Sequence, residues 1–423
     1  MARAPRKTAP RTTFDVIVAG GGMTGQTLAL ALADAGVSVA LCDAEPIETR
    51  LAPAFDGRAS AIAAANWRQW KALGIAAMLE ADAQPLSRIL VTDGPSPGAS
   101  ARAPMPVFLQ FGSDDLGAEP GEPMGRMVEN RHIRAALAKA LTARKVVAFA
   151  PAAVTAMSAT DRGAQVTLKD GTVLEAPLVV GADGRRSVVR SASGIGTYGW
   201  DYAQAGVVAT VALERDHEGI AHEYFLPGGP LAILPLTGQR ASLVWSEDKR
   251  RAKALVDSSV EAFEAHLARR FGSFLGRATL IGERAGFPLS LQMAERMIGP
   301  RAALIGDAAH AIHPIAGQGL NMGLKDAAAL AEVIVDARRL GEDWGSELVL
   351  ERYARWRRFD AAALAAATDL FTRLFSNDHP ALRLVRGAGL ALVNRAGPAK
   401  RLFVREAAGM LGETPRLLRG EAL

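Results

Sequence analysis

Phe14-Asp15-Val16-Ile17-Val18-Ala19-Gly20-Gly21-Gly22-Met23-Thr24-Gly25 is the stretch on which the fold turns. Its mostly apolar start suits a strand buried on both faces, as in a parallel sheet. The turn that follows sets Gly20, Gly22 and Gly25 in the G-x-G-x-x-G spacing. In such a turn the first glycine permits the tight bend. The second lets backbone approach a pyrophosphate, and the third lets helix and strand pack closely. Gln26-Thr27-Leu28-Ala29-Leu30-Ala31-Leu32-Ala33 predicts a helix stopped near Gly36, and Val37 to Leu41 a second strand ending at Asp43. Together these form a βαβ unit of about 30 residues. A carboxylate at Asp43 can accept hydrogen bonds from ribose hydroxyls, while the helix N–H groups favour the pyrophosphate. The unit by itself suits NAD and FAD equally.

A second stretch separates them. Leu304-Ile305-Gly306-Asp307-Ala308-Ala309-His310 continues through Pro314 to Gly317-Gln318-Gly319-Leu320-Asn321. Gly306 allows close approach, and the Asp307 carboxylate can hold the hydroxyls of a polyol. Gly317 and Gly319 lead into a helical pattern whose free N–H groups and positive dipole end could face the flavin N1–C2=O edge. That edge becomes anionic on reduction, so such a helix would favour the reduced ring. Pyrophosphate, polyol and ring in one molecule describe FAD. Between the two stretches lies Gly181-Ala182-Asp183-Gly184-Arg185-Arg186-Ser187. Taken alone, an Asp-Gly after a strand is a turn.

The remaining composition excludes several classes. The chain has 423 residues, too many for one simple core, and 49% of them are hydrophobic. Two interleaved domains are expected. Cys42 is the only cysteine, so no disulfide forms within the chain and no cysteine cluster holds zinc or iron–sulfur. It sits in an apolar run and is expected to be a buried strand residue. The formal charge of +5 is compatible with an anionic partner, but no nucleic-acid module is present. His310 and His313 invite a metal reading, yet no third ligand is apparent, and structural hydrogen bonding is expected instead. A Ser–His–Asp hydrolase is unsupported, because no G-x-S-x-G nucleophile elbow precedes a suitable helix. The first thirteen residues carry Arg3, Arg6, Lys7 and Arg11 without an apolar core, which predicts a disordered arm rather than a secretory signal. No apolar run approaches the roughly 20 residues of a membrane span.

The fold class expected is α/β, with a Rossmann-like FAD-binding domain interleaved with a β-sheet substrate domain, plus C-terminal helices. The FAD-binding domain takes residues 14–85, 125–195 and 295–370. The substrate domain takes 86–124 and 196–294, and residues 1–13 form the arm. Within these, Arg58 to Leu73 predicts a helix with Ser60 as cap. Asn130 predicts the cap of a helix bearing Ile133, Leu137 and Leu141. Residues 146–180 predict a hairpin or meander, and residues 203–245 an antiparallel sheet. Residues 371–423 predict a helical region with a possible membrane contact. Between His379 and Arg405 six basic residues stand among apolar ones with no Asp or Glu. That pattern suits an anionic lipid surface or a helix with solvated arginines about equally.

The three glycine-bearing segments, in this order, resemble the aromatic-ring hydroxylase family, the single-component class A flavoprotein monooxygenases. The nearer resemblance is to ubiquinone-biosynthesis hydroxylases of the UbiH type. It rests on Asp56-Gly57-Arg58, Val128-Glu129-Asn130-Arg131, Gly229-Pro230-Leu231-Ala232-Ile233-Leu234-Pro235-Leu236 and the long run from His310 to Asp326. The resemblance implies that Asp183 serves both FAD and NAD(P)H binding. It also implies that Arg58 and Arg131 contact FAD and that Pro314 sits beside the ring. Asp43 departs from the commoner Glu, and Arg126 stands where an aromatic residue is frequent.

The chemistry implied is reduction of FAD by NAD(P)H, capture of O2 as a C4a-hydroperoxyflavin, and oxygen transfer to an electron-rich phenol. The implied substrate is a polyprenylated phenol. Implied partners are other ubiquinone-biosynthesis proteins and a membrane surface, with the protein cytoplasmic or peripheral on the membrane's inner face. Two alternatives stay open: a hydroxylase of a small soluble aromatic compound, and a non-catalytic flavin-bound scaffold. A flavin halogenase is disfavoured, because no Trp-x-Trp-x-Ile-Pro segment occurs. No catalytic side chain is identified from sequence.

Overall fold

The computed structural model describes residues 12–46, 49, 51, 57–93, 109–116, 121–226, 228–312, 317–375, 405, 408–410 and 412–423. At its centre is a six-stranded sheet in the order 298–299, 302–304, 178–181, 16–19, 39–42 and 147–149. All its pairings are parallel except the one at the 298–299 edge. Val16–Ala19, Val39–Cys42 and Leu178–Gly181 are buried throughout, as an apolar strand covered on both faces must be. Met23–Asp34 is the crossover helix between the first two strands, and the chain leaves it through Gly36 at φ 75°. The mixed α/β class expected from the βαβ signature is the one observed.

The strands Val154–Thr160, Gly163–Leu168 and Val173–Ala176 form the expected meander. An eight-stranded sheet forms the other large layer, in the order 310–311, 278–294, 197–213, 240–248, 229–236, 220–226, 88–93 and 109–112. It is antiparallel except where Ile220–Leu226 runs parallel to Arg88–Asp93. One face carries Val207, Val211, Tyr224, Leu231, Ile233, Leu243 and Trp245. These pack against helices Lys249–Asp257 and Val260–Phe271 through Leu255, Phe263 and Leu267. On the opposite face, Ala221 and Leu236 meet Leu86 and Met127, with Ala59, Ala61 and Leu234 alongside. That face is turned toward the paired strands Ala59–Ala63 and Gly125–Glu129. Thr210 Oγ1 donates to the Gly57 carbonyl from it.

Two local expectations need correction. Arg58 to Leu73 is not one helix. Ala59–Ala63 is a strand paired with Gly125–Glu129, and the helix runs only from Ala64 to Ala72. Ser60 therefore caps nothing and donates to Asn130 Oδ1 at 2.7 Å. The helix Asn130–Ala143 does form, but Glu129 occupies its cap position and Asn130 is already helical. At Ala59–Ala63 pairing between distant strands overrode the local helical pattern. After the strands of the large sheet, Gln318–Arg339 and Glu347–Phe375 are long helices. No helix among the described residues is long and apolar enough to cross a membrane. The basic segment from His379 to Arg405 lies outside the described residues apart from Arg405, as does the arm up to residue 11.

Candidate FAD-binding site

Four neighbouring strands end at one level. Ala19 is in register with Cys42 and with Gly181, and Gly181 is in register with Leu304. The chemistry-bearing segments follow immediately: Gly20 to Gly25, Asp43, Asp183 and Gly306-Asp307. Ligands of open α/β sheets bind in the crevice outside these carboxyl ends. Segments far apart in the chain thus share one edge because the parallel pairing is in register.

The three glycines of the first turn differ in what surrounds them. A Cβ on Gly20, at φ 106°, would fall 2.1 Å from the Ala182 carbonyl oxygen. A Cβ on Gly25 would fall 2.0 Å from the Gly20 oxygen. Both are closed by backbone. Gly22, which caps helix Met23–Asp34, has nothing within 4 Å of the same position. The first turn of that helix carries no acidic residue. An open glycine at a helix start without competing carboxylates fits a pyrophosphate. Asp43 accepts from the Gly21 N–H with one oxygen, and from Glu45 N–H at 2.8 Å with the other. Cys42 is buried beside it. Burial first, and the Asp43 charge second, push its thiol up to about 12, so it stays protonated and inert.

Asp183 accepts from the Val188 N–H at 2.7 Å, ahead of the short helix Val188–Ala192, while its Oδ1 is buried without a hydrogen-bond partner. Arg190 is a residue whose role the sequence did not disclose. Its guanidinium donates to the Arg185 carbonyl at 2.6 Å and the Ala308 carbonyl at 2.9 Å, tying the Asp-Gly segment to the Gly-Asp segment.

Gly306 and Asp307 part company in space. Gly306, at φ 59°, donates its N–H to Asp326 Oδ2 at 3.0 Å. Asp307 points outward with 53% of its side chain exposed, 3.8 Å from Arg185 Nε. A carboxylate open to solvent at the sheet's edge fits the hydroxyls of a ribityl chain. Gly323 lets the helix Gln318–Arg339 press against this bend: a Cβ there would lie 2.6 Å from Thr24 Oγ1 and 3.2 Å from Gly306 Cα. Thr24 belongs to the first helix, so both helices close on Gly306.

Asp326 anchors the arrangement. It is wholly buried and also accepts from His310 Nε2 at 2.6 Å and Arg357 Nε at 2.9 Å. Burial alone would raise its pKa, but His310 and Arg357 outweigh this and hold the carboxyl below its ordinary value. His310 is thus a structural hydrogen-bonding residue, as expected, and no group of His, Cys, Asp and Glu among the described residues could hold a metal. His313 and Pro314 lie outside the described residues.

Gly317, at φ 62°, caps the helix Gln318–Arg339, whose first turn is also free of acidic residues. Gly319 has nothing within 4 Å of a Cβ position, and Leu320 is half-buried beside it. Asn321 is occupied differently. Its Oδ1 accepts from Ala63 N–H at 3.0 Å and Asn66 Nδ2 at 2.8 Å, and its Nδ2 donates to the Ala61 carbonyl at 2.9 Å. The side chain clamps the strand Ala59–Ala63 to the helix start, leaving only backbone to face the crevice. Arg58 is exposed next to this strand. Arg131 donates to Glu129 Oε2 at 2.7 Å, and Glu129 pairs with Arg240 of the large sheet at 2.7 Å. Arg126 lies 4.5 Å over the Trp67 ring, where a guanidinium is attracted to the ring face.

A cavity of about 720 Å³ bordered by Glu214, Glu264 and Arg277 lies on the helix-covered side of the large sheet. Its charges are already engaged. Arg277 pairs with Glu264 at 3.1 Å, and its N–H donates to Glu214 at 2.8 Å.

Residues 13–368 match the family model described as FAD binding domain. The chain is 46% identical to the ubiquinone hydroxylase UbiL of Rhodospirillum rubrum, over 97% of this chain and 93% of that one. It is 37% identical to the 3-demethoxyubiquinol 3-hydroxylase of Escherichia coli, covering 94% and 98%. Among solved structures, the p-nitrophenol 4-monooxygenase PnpA of Pseudomonas putida superposes with a TM-score of 0.78 at 20% identity, covering 95% and 100%. At that identity the likeness is one of fold. The four motifs on one sheet edge and the full-length matches place this chain in the family of FAD-dependent monooxygenases built on the FAD binding domain.

Proposed function

We propose that this protein hydroxylates the aromatic ring of a polyprenylated phenol in ubiquinone biosynthesis, using FAD, NAD(P)H and O2. The observation that carries the substrate class is the 46% identity to a ubiquinone hydroxylase along nearly the whole of both chains. The cofactor side is supported by the shared sheet edge. There Gly20, Gly22 and Gly25 would seat the pyrophosphate, Asp43 the ribose and Asp307 the ribityl hydroxyls. Asp183 would border the same crevice. N–H groups of Gly319, Leu320 and Asn321, following Gly317, would face the ring, with Arg58 and Arg131 toward the rest of FAD and Pro314 beside the isoalloxazine. Bound FAD supplies the electron transfer and O2 chemistry. The chain's own residues bind, orient and exclude water.

The domain division belongs to this proposal: residues 14–85, 125–195 and 295–370 hold the cofactor, and 86–124 with 196–294 cover the substrate. So does a cytoplasmic protein resting on the inner face of the membrane through residues 371–423, where an apolar substrate and partner enzymes are met. Incubating the FAD-loaded protein with a polyprenylated phenol, NAD(P)H and isotopically labelled O2 tests it. One labelled oxygen in the ring is expected. Label arriving only from water, or turnover confined to small soluble phenols, rejects it.

A further inference from the structure

We propose that Glu223 is the base that accepts the proton of the substrate's phenolic hydroxyl; this rests on the ring-hydroxylase reading above. Glu223 lies in the strand Ile220–Leu226, whose side chains alternate between the two faces of the large sheet. Tyr224 and Leu226 enter the core under the helices. Ala221 packs on the other side with Met127 and Leu86, beside Ala59 and Ala61. Glu223, two positions from Ala221, therefore shares the face turned to the cofactor domain. Ala61 on that interface is also the residue nearest Gly317, 3.5 Å from its Cβ position, where the flavin-facing helix begins.

The carboxyl has no hydrogen-bond or ion-pair partner among the described residues. In register beside it stand Val91 and Ala232, both apolar. Most charged groups on the surrounding elements are turned to other tasks. Arg88 is in register with Ile220, on the opposite face, and reaches toward Glu218. Asp93, in register with Phe225, is on the face of Glu223, one same-face position further along the neighbouring strand. Glu129 pairs with Arg240, Arg126 covers Trp67, and Asp369 accepts from Tyr202 at 2.8 Å. His222, on the same strand, faces Phe274 on the helix side. Yet Glu223 keeps a partly water-accessible surface, so a ligand can reach it. A lone carboxyl among alkyl groups at an interface open to the cofactor is an expensive feature for a fold to keep. Burial raises its pKa to about 8, close to a working pH, where a general base is most effective.

In the step itself, the phenol O–H proton passes to the Glu223 carboxylate and the O–H electron pair moves into the ring. An activated ring carbon uses that electron density to form the new C–O bond to one atom of O2. The second oxygen atom leaves as water, taking two electrons and one proton as the hydride equivalent of the reduced nicotinamide and a second proton from solvent. The hydrogen on that ring carbon passes as a proton to the phenolic oxygen, which restores the aromatic ring, and the proton held by Glu223 returns through solvent to the new hydroxyl.

The test compares FAD-loaded wild type, Glu223→Gln and Glu223→Asp with a polyprenylated phenol, following hydroxylated product, NAD(P)H consumption and hydrogen peroxide across pH. Wild-type product formation should rise with pH up to about 8, as Glu223 ionises. Glu223→Gln, with unchanged FAD content, should lose about 100-fold or more in hydroxylation and lose that pH limb. NAD(P)H consumption should continue, with its electrons appearing as peroxide. Glu223→Asp should recover part of the product and keep the limb. Equal hydroxylation and the same pH limb in Glu223→Gln overturn the assignment. A wild type that consumes NAD(P)H yet hydroxylates no phenol overturns the functional reading, and the base with it.

Discussion

Asp326 and Glu223 are carboxyl groups in two different regions, and their surroundings differ. Asp326, on the cofactor side, is held by His310, Arg357 and the Gly306 N–H. Its pKa falls below the ordinary value. Glu223, on the inner face of the large sheet, has alkyl neighbours and a pKa pushed up to about 8 by burial. A buried charge with both oxygens engaged fixes a backbone bend, while one left unengaged is available to a ligand. The first arrangement should matter to stability and the second to chemistry.

The largest effect is expected at Asp326. Asp326→Ala would leave Arg357 buried with only Asp360, at 2.9 Å, for company. Losing one member of such a pair costs about 3–5 kcal/mol. Denaturant unfolding of FAD-free protein measures it, and a loss below 1 kcal/mol by that measurement would end the claim that this network holds the crevice together. The pH dependence has a defined sign. A depressed Asp326 contributes stability above its unfolded pKa, and this is lost as pH falls through the lower folded value. Wild type should show that acid-side loss and Asp326→Ala should not.

The glycines repeat the contrast between closed and open positions. Gly25→Ala forces a Cβ to within 2.0 Å of backbone oxygen, and Gly20→Ala to within 2.1 Å at a positive φ. Each should cost about 3 kcal/mol or prevent folding. Next comes Asp307→Ala. The side chain is exposed and makes no buried contact, so thermal unfolding of the FAD-free form should hardly move. FAD retention should weaken by about 1.5–3 kcal/mol through lost charge-assisted hydrogen bonds. Unchanged FAD affinity would remove Asp307 from the site. Gly22→Ala should have the smallest effect on the fold, within about 0.5 kcal/mol, because its Cβ meets nothing. Its effect should appear only as weaker FAD binding; a drop in FAD-free stability as large as that of Gly25→Ala would show that Gly22 is a packing glycine too.

Glu223 provides the opposite pH test. A carboxyl whose folded pKa lies near 8 gives its full stability below the unfolded value and loses it as pH rises toward 8. Glu223→Gln should flatten that loss and leave the protein at least as stable at pH 8. Destabilisation instead would mean that the carboxylate has a structural partner, and the contrast with Asp326 would collapse.

Much of the first region was legible in the sequence because it is local. Phe14 to Asp43 lists strand, turn, helix and strand in chain order, and each element forms from its own periodicity and glycine placement. The Gly306-Asp307 bend and the helix after Gly317 are similarly local. The misread segment, Ala59–Ala63, is short and its residues suit a helix; its strand form is imposed by pairing with Gly125–Glu129 more than sixty residues away. Asn321 belongs to a quoted motif, but its role as a clamp on Ala63 and Asn66 depends on partners some 255 residues distant.

The sequence by itself determined the α/β class, the order of the cofactor motifs and the closed or open duty of each turn glycine, since backbone sterics and hydrophobic periodicity act over a few residues. Only the tertiary structure decided which charges are paired. Nothing near Asp326 in the chain announces Arg357, and nothing near Glu223 announces that its neighbours Val91 and Ala232 are apolar. Desolvation and ion pairing depend on what folding brings within a few ångströms, whatever the separation along the chain.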